Sequence, residues 1–181
     1  SVGGCCQRKL PPFEQLWASV YYEPPVSGMI HEFKHRRDLS MLPSLVSLMK
    51  RHPPPWLKNT MFDAVLAMPL SRERRLFRGF NQSDELARLI ARNYSLPLLP
   101  HSTVFRRPTL PQSTLNGEER RKNVRRVFEV RGEVVKDCKL LLIDDVVTTG
   151  ATLDELSRTL KRVGAGQIFC WTLARSQMKK F

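Results

Sequence analysis

The sequence predicts an α/β fold in which a parallel β-sheet is flanked by helices. Two apolar stretches, residues 63–69 and 140–143, are typical of strands that are buried on both faces of such a sheet. Each is followed by apolar residues at helical spacing, over residues 86–90 and 153–163 respectively. This alternation of buried strands and amphipathic helices is typical of an α/β domain.

Local patterns predict the remaining elements. Residues 17–22 are rich in residues that favour strands and are closed by two prolines, and residues 168–173 form a last apolar strand pattern. Two helices are expected after the first strand, one capped by Ser27 and one over about residues 39–50. Residues 1–12 are predicted to form a poorly ordered arm, and residues 13–181 a single domain. Within that domain, a loop is predicted over residues 70–82 and a mobile flap over residues 106–116.

The clearest chemistry lies at the end of the strand predicted over residues 140–143. Asp144 and Asp145 follow its apolar residues, and ligands of open α/β sheets bind at the carboxyl ends of strands. Two carboxylates there can accept hydrogen bonds from the diol of a ribose. The next loop suits a phosphate, because N–H groups and the dipole of a helix converge on it. The predicted ribose 5-phosphate site comprises Asp144, Asp145, Val146, Val147, Thr148, Thr149, Gly150, Ala151 and Thr152.

The acidic pair has three other interpretations. An apolar run ending in Asp-Asp also suits the metal-binding strand of a P-loop NTPase, but the sequence has no Gly-x-x-x-x-Gly-Lys-Ser/Thr motif. A phosphoacceptor domain of the flavodoxin type would need more chain after the acids than one helix and one strand. A solvated Asp-Asp turn would leave the Thr-Thr-Gly-x-Thr spacing of residues 148–152 unexplained.

The charge of the chain favours polyanionic partners. Its 30 Lys and Arg residues outnumber its 17 Asp and Glu residues by 13, an excess that attracts polyanions and releases counterions from nucleic acid. The candidate nucleic-acid contacts are Lys34, Arg36, Arg37, Arg74, Arg75, Arg120, Arg121, Lys122, Arg125 and Arg126. A diphosphate is expected on the loop that leaves the strand over residues 63–69, at Pro69, Leu70, Ser71, Arg72 and Arg78.

Two further patterns concern location and metal. No apolar stretch approaches the ~20 residues of a membrane span and no signal-peptide pattern opens the chain, so a cytoplasmic protein is expected. His31, Glu32 and His35 match His-Glu-x-x-His, which on a helix places two imidazoles on one face for zinc. The basic neighbours Lys34 and Arg36 oppose a dication, so a basic helix is preferred over a zinc protease.

Several blocks of the sequence resemble known families. Residues 143–152 resemble the phosphoribosyl pyrophosphate (PRPP) signature of type I phosphoribosyltransferases. Residues 68–87, which carry Arg-Gly-Phe-Asn-Gln, residues 109–128 and residues 30–34 are similar to the ComF/GntX family. The last of these blocks accounts for His-Glu-x-x-His without zinc. The resemblance extends over nearly all of residues 11–181.

The resemblance implies a type I phosphoribosyltransferase-like fold with a small hood, and it places Gln112 in the flap. It implies PRPP or a nucleotide with Mg2+ as ligand, and a role in bacterial competence with single-stranded DNA and a DNA translocase or helicase as partners. Members usually begin with a four-cysteine zinc module. Here only Cys6 occupies a ligand position and Gly3 stands where its partner would be, so we expect the module to be absent or truncated and no zinc to be bound.

Two functions remain open at this point. As a transferase, the chain would displace pyrophosphate from the anomeric carbon, with Mg2+ neutralising the leaving group and Asp144 and Asp145 as the catalytic residues that hold the ribose diol. As a binding protein, it would hold PRPP or a nucleotide at the same residues while its basic surface binds single-stranded DNA. The sequence assigns neither an acceptor pocket nor a catalytic base.

Overall fold

The computed structural model of the protein describes residues 10–35, 39–107 and 127–176, and four parallel strands form the central sheet of this part of the chain. These strands are β1 (Gln15–Tyr21), β2 (Ala64–Ala67), β5 (Leu140–Val147) and β6 (Ile168–Arg175), in the spatial order β1-β6-β5-β2. A separate antiparallel pair consists of β3 (Val104–Arg106) and β4 (Phe128–Val130). The α-helices of the described ranges are α1 (Val26–His35), α2 (Leu42–Arg51), α3 (Arg72–Arg78), α4 (Gln82–Asn93) and α5 (Ala151–Arg162).

Helices cover both faces of the sheet, which confirms the predicted fold class. Because successive residues of a strand point to opposite faces, β5 contributes to two separate clusters. Leu141 and Ile143 pack with residues of α1, α2 and α4. Leu140 and Leu142 pack on the other side with residues of α5. All four side chains are fully buried, as expected for a strand in the middle of a parallel sheet.

Hydrogen bonds fix the N-terminal part of the chain to the edge of the sheet. Trp17 Nε1 and Ser19 Oγ of β1 both donate to the carbonyl oxygen of His52, at 3.0 and 2.9 Å, just after α2 ends. Trp171 Nε1 of β6 donates to Ser19 Oγ at 2.8 Å. These contacts hold β1 and α2 together at the edge strand, and α1 packs on the same face of the sheet as α2.

The central strand is longer than predicted. The sequence places its end at Ile143, but β5 continues to Val147 and includes both acids. The reason is its partner: β6 runs alongside and pairs Asp144 with Thr172 and Val147 with Arg175. The acidic pair therefore lies within the last half of the strand rather than after it.

The prediction of a loop over residues 70–82 is wrong, because α3 occupies most of it. Ser71 caps this helix by accepting a hydrogen bond at 3.4 Å from the backbone N–H three residues on. Gly79 ends the helix in the left-handed conformation, with φ of 78°. Arg72 and Arg78, two of the residues assigned to a diphosphate, are thus the first and last residues of a helix.

Parts of the predicted irregular segments lie outside the described residues, namely residues 1–9 of the arm, with Gly3 and Cys6, and residues 108–116 of the flap. The helix predicted to be capped by Ser27 corresponds to α1, which begins one residue earlier at Val26. The helix predicted from the apolar residues at 86–90 corresponds to α4. No helix in the described ranges combines the length and the apolar character that crossing a membrane requires.

Candidate functional site

Asp144 and Asp145 meet side chains from two helices that are distant in sequence. Ser83 Oγ, at the start of α4, donates to Asp144 Oδ1 at 3.0 Å. Lys34 Nζ, near the end of α1, lies 2.7 Å from Asp145 Oδ2. Backbone groups also contact the pair, because Asp145 N donates to Asp144 Oδ1 at 2.9 Å and Val146 N donates to Asp145 Oδ1 at 2.6 Å. The structure thus surrounds the predicted acids with a serine and a lysine.

This environment changes the charge state of Asp144. The pKa of Asp144 is raised to about 7, first because burial penalises its charged form and second because the charge of Asp145 lies beside it. Hydrogen bonds from Asp145 N and Ser83 and the charge of Lys34 act in the opposite direction. Near neutral pH, a large share of the ligand-free molecules therefore carry a proton on Asp144.

The stability of the ligand-free protein should depend on pH through this carboxyl. Because the folded-state pKa of Asp144 lies above the value of about 3.9 in an unfolded chain, the folded state binds more protons between about pH 4 and pH 7. The contribution of Asp144 to stability therefore decreases as the pH rises through this window. Urea unfolding of wild type and Asp144→Asn at about pH 5 and about pH 7 measures it. The wild type should lose more stability between the two pH values than the variant, and equal losses would contradict the raised pKa.

The loop between β5 and α5 has the geometry of an anion site. Gly150 has φ of 83°, a conformation that favours glycine, and it immediately precedes α5. Thr149 Oγ1 accepts a hydrogen bond from Ala151 N at 3.3 Å, and both Thr148 and Thr149 are exposed. The first N–H groups of a helix have no intrahelical partner, so the start of this 12-residue helix can donate to a phosphate. Val147, in contrast, is buried and packs in the core.

A cavity of about 220 Å³ joins the acidic pair to the loop after β2. Asp144, Asp145 and Thr152 line one part of it, and Pro69 and Leu70 line another. They come together because β2 and β5 are parallel neighbours whose carboxyl ends lie at the same edge of the sheet. One space, which we call the ribose cavity, is thus lined by residues predicted for a ribose, by Thr152 of the predicted phosphate loop and by Pro69 and Leu70 of the predicted diphosphate loop. Thr148, Thr149, Gly150 and Ala151 do not line it.

Sequence reasoning missed Gln82, Ser83 and Arg106, which also line the ribose cavity. Gln82 and Ser83 open α4, and the helix cap at Asn81 is the signal that could have pointed to them. Arg106 belongs to β3, where burial lowers its pKa and its guanidinium carbon lies 5.6 Å from the ring centre of Phe128. Nothing in the sequence separates Arg106 from other arginines, because its place depends on the pairing of β3 with β4.

The candidate nucleic-acid residues fall into three groups. Lys34 and Arg74 line the ribose cavity, so they lie beside the acidic pair rather than on a separate basic surface. Arg75 lines a second cavity on the other side of the loop after β2. The third group lies outside the described part of the chain and comprises Arg36, Arg37, Arg120, Arg121, Lys122, Arg125 and Arg126. Gln112 of the predicted flap also lies outside it.

The side chains at the ribose cavity fit a metal ion that arrives with its ligand. Among the described residues, no three His, Cys, Asp or Glu side chains are grouped to hold a metal ion. The rings of His31 and His35 lie 4.4 Å apart on α1. Mg2+ commonly takes one or two carboxylates and completes its shell with substrate phosphates and water. Asp144 and Asp145 beside an open cavity supply such carboxylates.

The amino-acid sequence is similar to one protein family and to several proteins whose names state a role. Residues 80–180 match the family described as phosphoribosyl transferase domain. The chain is 32% identical over 176 residues to DNA utilization protein YhgH of Shigella flexneri. This match covers 96% of this chain and 77% of YhgH. It is 29% identical over 178 residues to Competence protein F of Haemophilus influenzae, covering 96% of this chain and 78% of that one.

The structure is similar to that of glutamine PRPP amidotransferase from Bacillus subtilis, with a TM-score of 0.51 and 15% sequence identity. The match covers 73% of this chain and 26% of that one, so this chain spans about a quarter of the amidotransferase, and the likeness establishes the fold alone. The fold is the type I phosphoribosyltransferase fold that the sequence predicts. Because its relatives are named for DNA utilization and competence and its sequence matches the phosphoribosyl transferase domain, the chain belongs to the ComF family.

Proposed function

We propose that the protein binds PRPP together with Mg2+ in the ribose cavity and handles single-stranded DNA during DNA uptake. The observation that carries the proposal is the placement of Asp144 and Asp145 in one cavity with Thr152, in the first turn of α5. The acids accept hydrogen bonds from the ribose diol, and the loop and helix start donate to the 5-phosphate. The diphosphate lies against Pro69 and Leu70, where Arg74 and Arg106 supply positive charge. Asp144 and Asp145 would hold the Mg2+, which would neutralise negative charge on the diphosphate.

The proposal is tested by titrating PRPP into the wild-type protein in a calorimeter, with and without Mg2+. Saturable binding that requires Mg2+ is the expected result, because Asp145 and the diphosphate repel one another unless a cation lies between them. Ribose 5-phosphate, which lacks the diphosphate, should bind more weakly. Heats of dilution alone at every PRPP concentration would contradict the proposal.

The DNA part of the proposal rests on charge and on the relatives. An excess of 13 positive charges is more than one diphosphate ligand requires, and relatives are named for DNA utilization and competence. Arg75 on α3 is exposed, and the basic residues at 36–37 and 120–126 are further candidates. We propose a DNA translocase or helicase as the protein partner and the cytoplasm as the location.

The affinity for single-stranded DNA should fall linearly on a log-log plot against salt, with a slope of about 0.7 per phosphate neutralised. Replacing the Arg-Arg-Lys sequence at residues 120–122 with three glutamates should flatten this slope and weaken binding to every DNA sequence alike. The affinity for PRPP should stay nearly unchanged. Fluorescence anisotropy of a labelled oligonucleotide across a salt series measures the slopes.

The matched control for this experiment reverses three exposed charges elsewhere, at Lys50 and Arg51 of α2 and Arg92 of α4. This variant has the same net charge as the first one, so any difference between the two reports a local contact. Equal slopes in wild type and the 120–122 variant would show that this cluster is only a solvated surface. Equal flattening by both variants would show that net charge alone attracts the DNA.

A second candidate function is phosphoribosyl transfer to an acceptor. It is favoured by the second cavity, also of about 220 Å³, which shares Pro69, Leu70 and Arg106 with the ribose cavity. Its apolar walls and the polar groups of Asp84 and His101 suit a small ring that carries hydrogen-bonding groups. An assay for pyrophosphate release from PRPP across candidate bases and amines tests this function. Release that depends on one acceptor would support it, and release with none of them would favour the binding protein.

A further inference from the structure

Among the described residues that line the ribose cavity, Gln82 has a buried polar atom without a hydrogen-bond partner. Gln82 is 1% exposed, and its Nε2 has no hydrogen-bond partner among the described residues. Buried polar side chains nearly always have partners, because an unsatisfied buried donor loses its hydrogen bonds to water and gains none. A donor of this kind lowers the stability of the ligand-free protein, so its presence calls for an explanation in the ligand-bound state.

The residues on both sides of Gln82 are satisfied within the protein. Asn81 Nδ2 donates to the carbonyl oxygen of Met68 at 3.0 Å, and Asn81 Oδ1 accepts from Ser83 N at 3.1 Å. Ser83 Oγ donates to Asp144. The start of α4 is therefore a well-connected segment, fixed to the end of β2 and to the acidic pair. The unpaired amide of Gln82 stands out within it.

The position of Gln82 indicates what could use this donor. Gln82 lines the ribose cavity together with Asp144, from the predicted ribose site, and Leu70, from the predicted diphosphate site. Both groups present oxygen atoms that accept hydrogen bonds, whereas an amide N–H can only donate. An oxygen of the ligand is thus the partner whose chemistry fits.

We propose that Gln82 is a ligand-binding residue whose Nε2 donates a hydrogen bond to an oxygen of the sugar diphosphate in the ribose cavity. The proposal rests on the proposed function, because it takes PRPP as the ligand of this cavity. It adds a contact from α4 to the contacts made by the acidic pair and the loop before α5. The unsatisfied donor of the ligand-free protein is then satisfied on binding.

Replacing Gln82 with Met tests the proposal, because Met has a similar length and no donor. Two changes of opposite sign are expected. The thermal midpoint of the ligand-free protein should rise by about 2–4 °C, since an unsatisfied buried donor is removed. The affinity for PRPP with Mg2+ should fall about tenfold or more, since a hydrogen bond to a charged ligand is lost. A residue that serves only the fold would show no such loss of affinity in a more stable protein.

Thr103→Val is the matched control. Thr103 is 2% exposed and its Oγ1 is likewise without a partner among the described residues, but it does not line the ribose cavity. This variant should also gain stability, and its affinity for PRPP should equal that of wild type. An equal loss of affinity in Thr103→Val and Gln82→Met would overturn the proposal, because repacking would then be the cause.

Gln82→Glu is the second variant, used if the Met variant does not fold. It keeps the shape of the side chain but replaces the donor with an acceptor, so PRPP should bind even more weakly than to the Met variant. Titrations with ribose 5-phosphate and with pyrophosphate alone show which part of the ligand holds the oxygen, and a loss in either one supports the proposal. If wild type binds PRPP and both Gln82 variants bind it equally well, the proposal fails while the proposed function stands. If wild type binds none of the three ligands, the proposed function itself fails.

Discussion

Replacing Asp144 and Asp145 together with asparagine weakens Mg2+-dependent PRPP binding by several kcal/mol. Hydrogen bonds to charged groups contribute about 1.5–3 kcal/mol each, and the variant removes both carboxyl groups that accept from the ribose diol. It also removes the carboxylates available to Mg2+ and the ion pair between Lys34 and Asp145. Calorimetric titration with PRPP at constant Mg2+ gives the difference in binding free energy from wild type.

The control for this prediction lies at the opposite end of β5. Asp63 Oδ2 accepts a hydrogen bond from Lys139 N at 2.7 Å, and Asp137 lies in the left-handed region with φ of 58°, which asparagine tolerates well. Replacing both with asparagine removes the same two charges away from the ribose cavity, so PRPP affinity should not change. An Asp144 and Asp145 double variant with wild-type affinity would rule out the ribose cavity as the PRPP site.

Replacing Trp171 with alanine destabilises the protein by about 3–5 kcal/mol. The side chain is fully buried, its Nε1 donates to Ser19, and its ring centre lies 5.9 Å from that of Tyr94 in an edge-on arrangement. The substitution leaves a large cavity between β6 and α4, since Tyr94 directly follows that helix. Urea unfolding followed by circular dichroism gives the change in unfolding free energy.

Two companion variants identify the cause of the expected loss. Trp171→Phe retains an aromatic ring and loses the hydrogen bond to Ser19, so a smaller loss is expected. Leu76→Ala, at a side chain that is 74% exposed on α3, should change stability by less than about 0.5 kcal/mol. A loss below about 1 kcal/mol in Trp171→Ala would show that this part of the core collapses to fill the space.

The sequence predicts those parts of the fold that depend on local pattern. Leu140–Ile143 could be assigned to a buried strand because an uninterrupted apolar run suits burial on both faces. The last residues of β5 could not, because Asp144 and Asp145 are poor strand formers and only pairing with β6 keeps them extended. In α3 the charged residues favoured a loop, although Ser71 and Gly79 are the residues that begin and end a helix there.

The candidate site also has a part that local sequence predicts and a part that it does not. Its two acids and the following loop are contiguous in sequence, so one motif contains them. Ser83 reaches Asp144 across 61 residues of sequence, and Lys34 reaches Asp145 from a different helix. Such contacts depend on how helices pack on the sheet, which a single sequence does not show. The amide of Gln82 is harder still to predict, because it is distinguished by lacking a hydrogen-bond partner among the described residues.

The order of strands in the sheet has a consequence for how the chain folds. The edge strand β1 pairs only with β6 among the described strands, and the hydrogen bond from Trp171 to Ser19 spans 152 residues of sequence. During synthesis β1 is made early, but it has no neighbour in the sheet until β6 has left the ribosome. Closing so long a loop makes this pairing a slow, late step, because the chain loses conformational entropy before the stabilising contacts between β1 and β6 form. Until then the backbone of β1 has no strand to pair with, and this unpaired edge is a place where the nascent chain is open to aggregation or to chaperones.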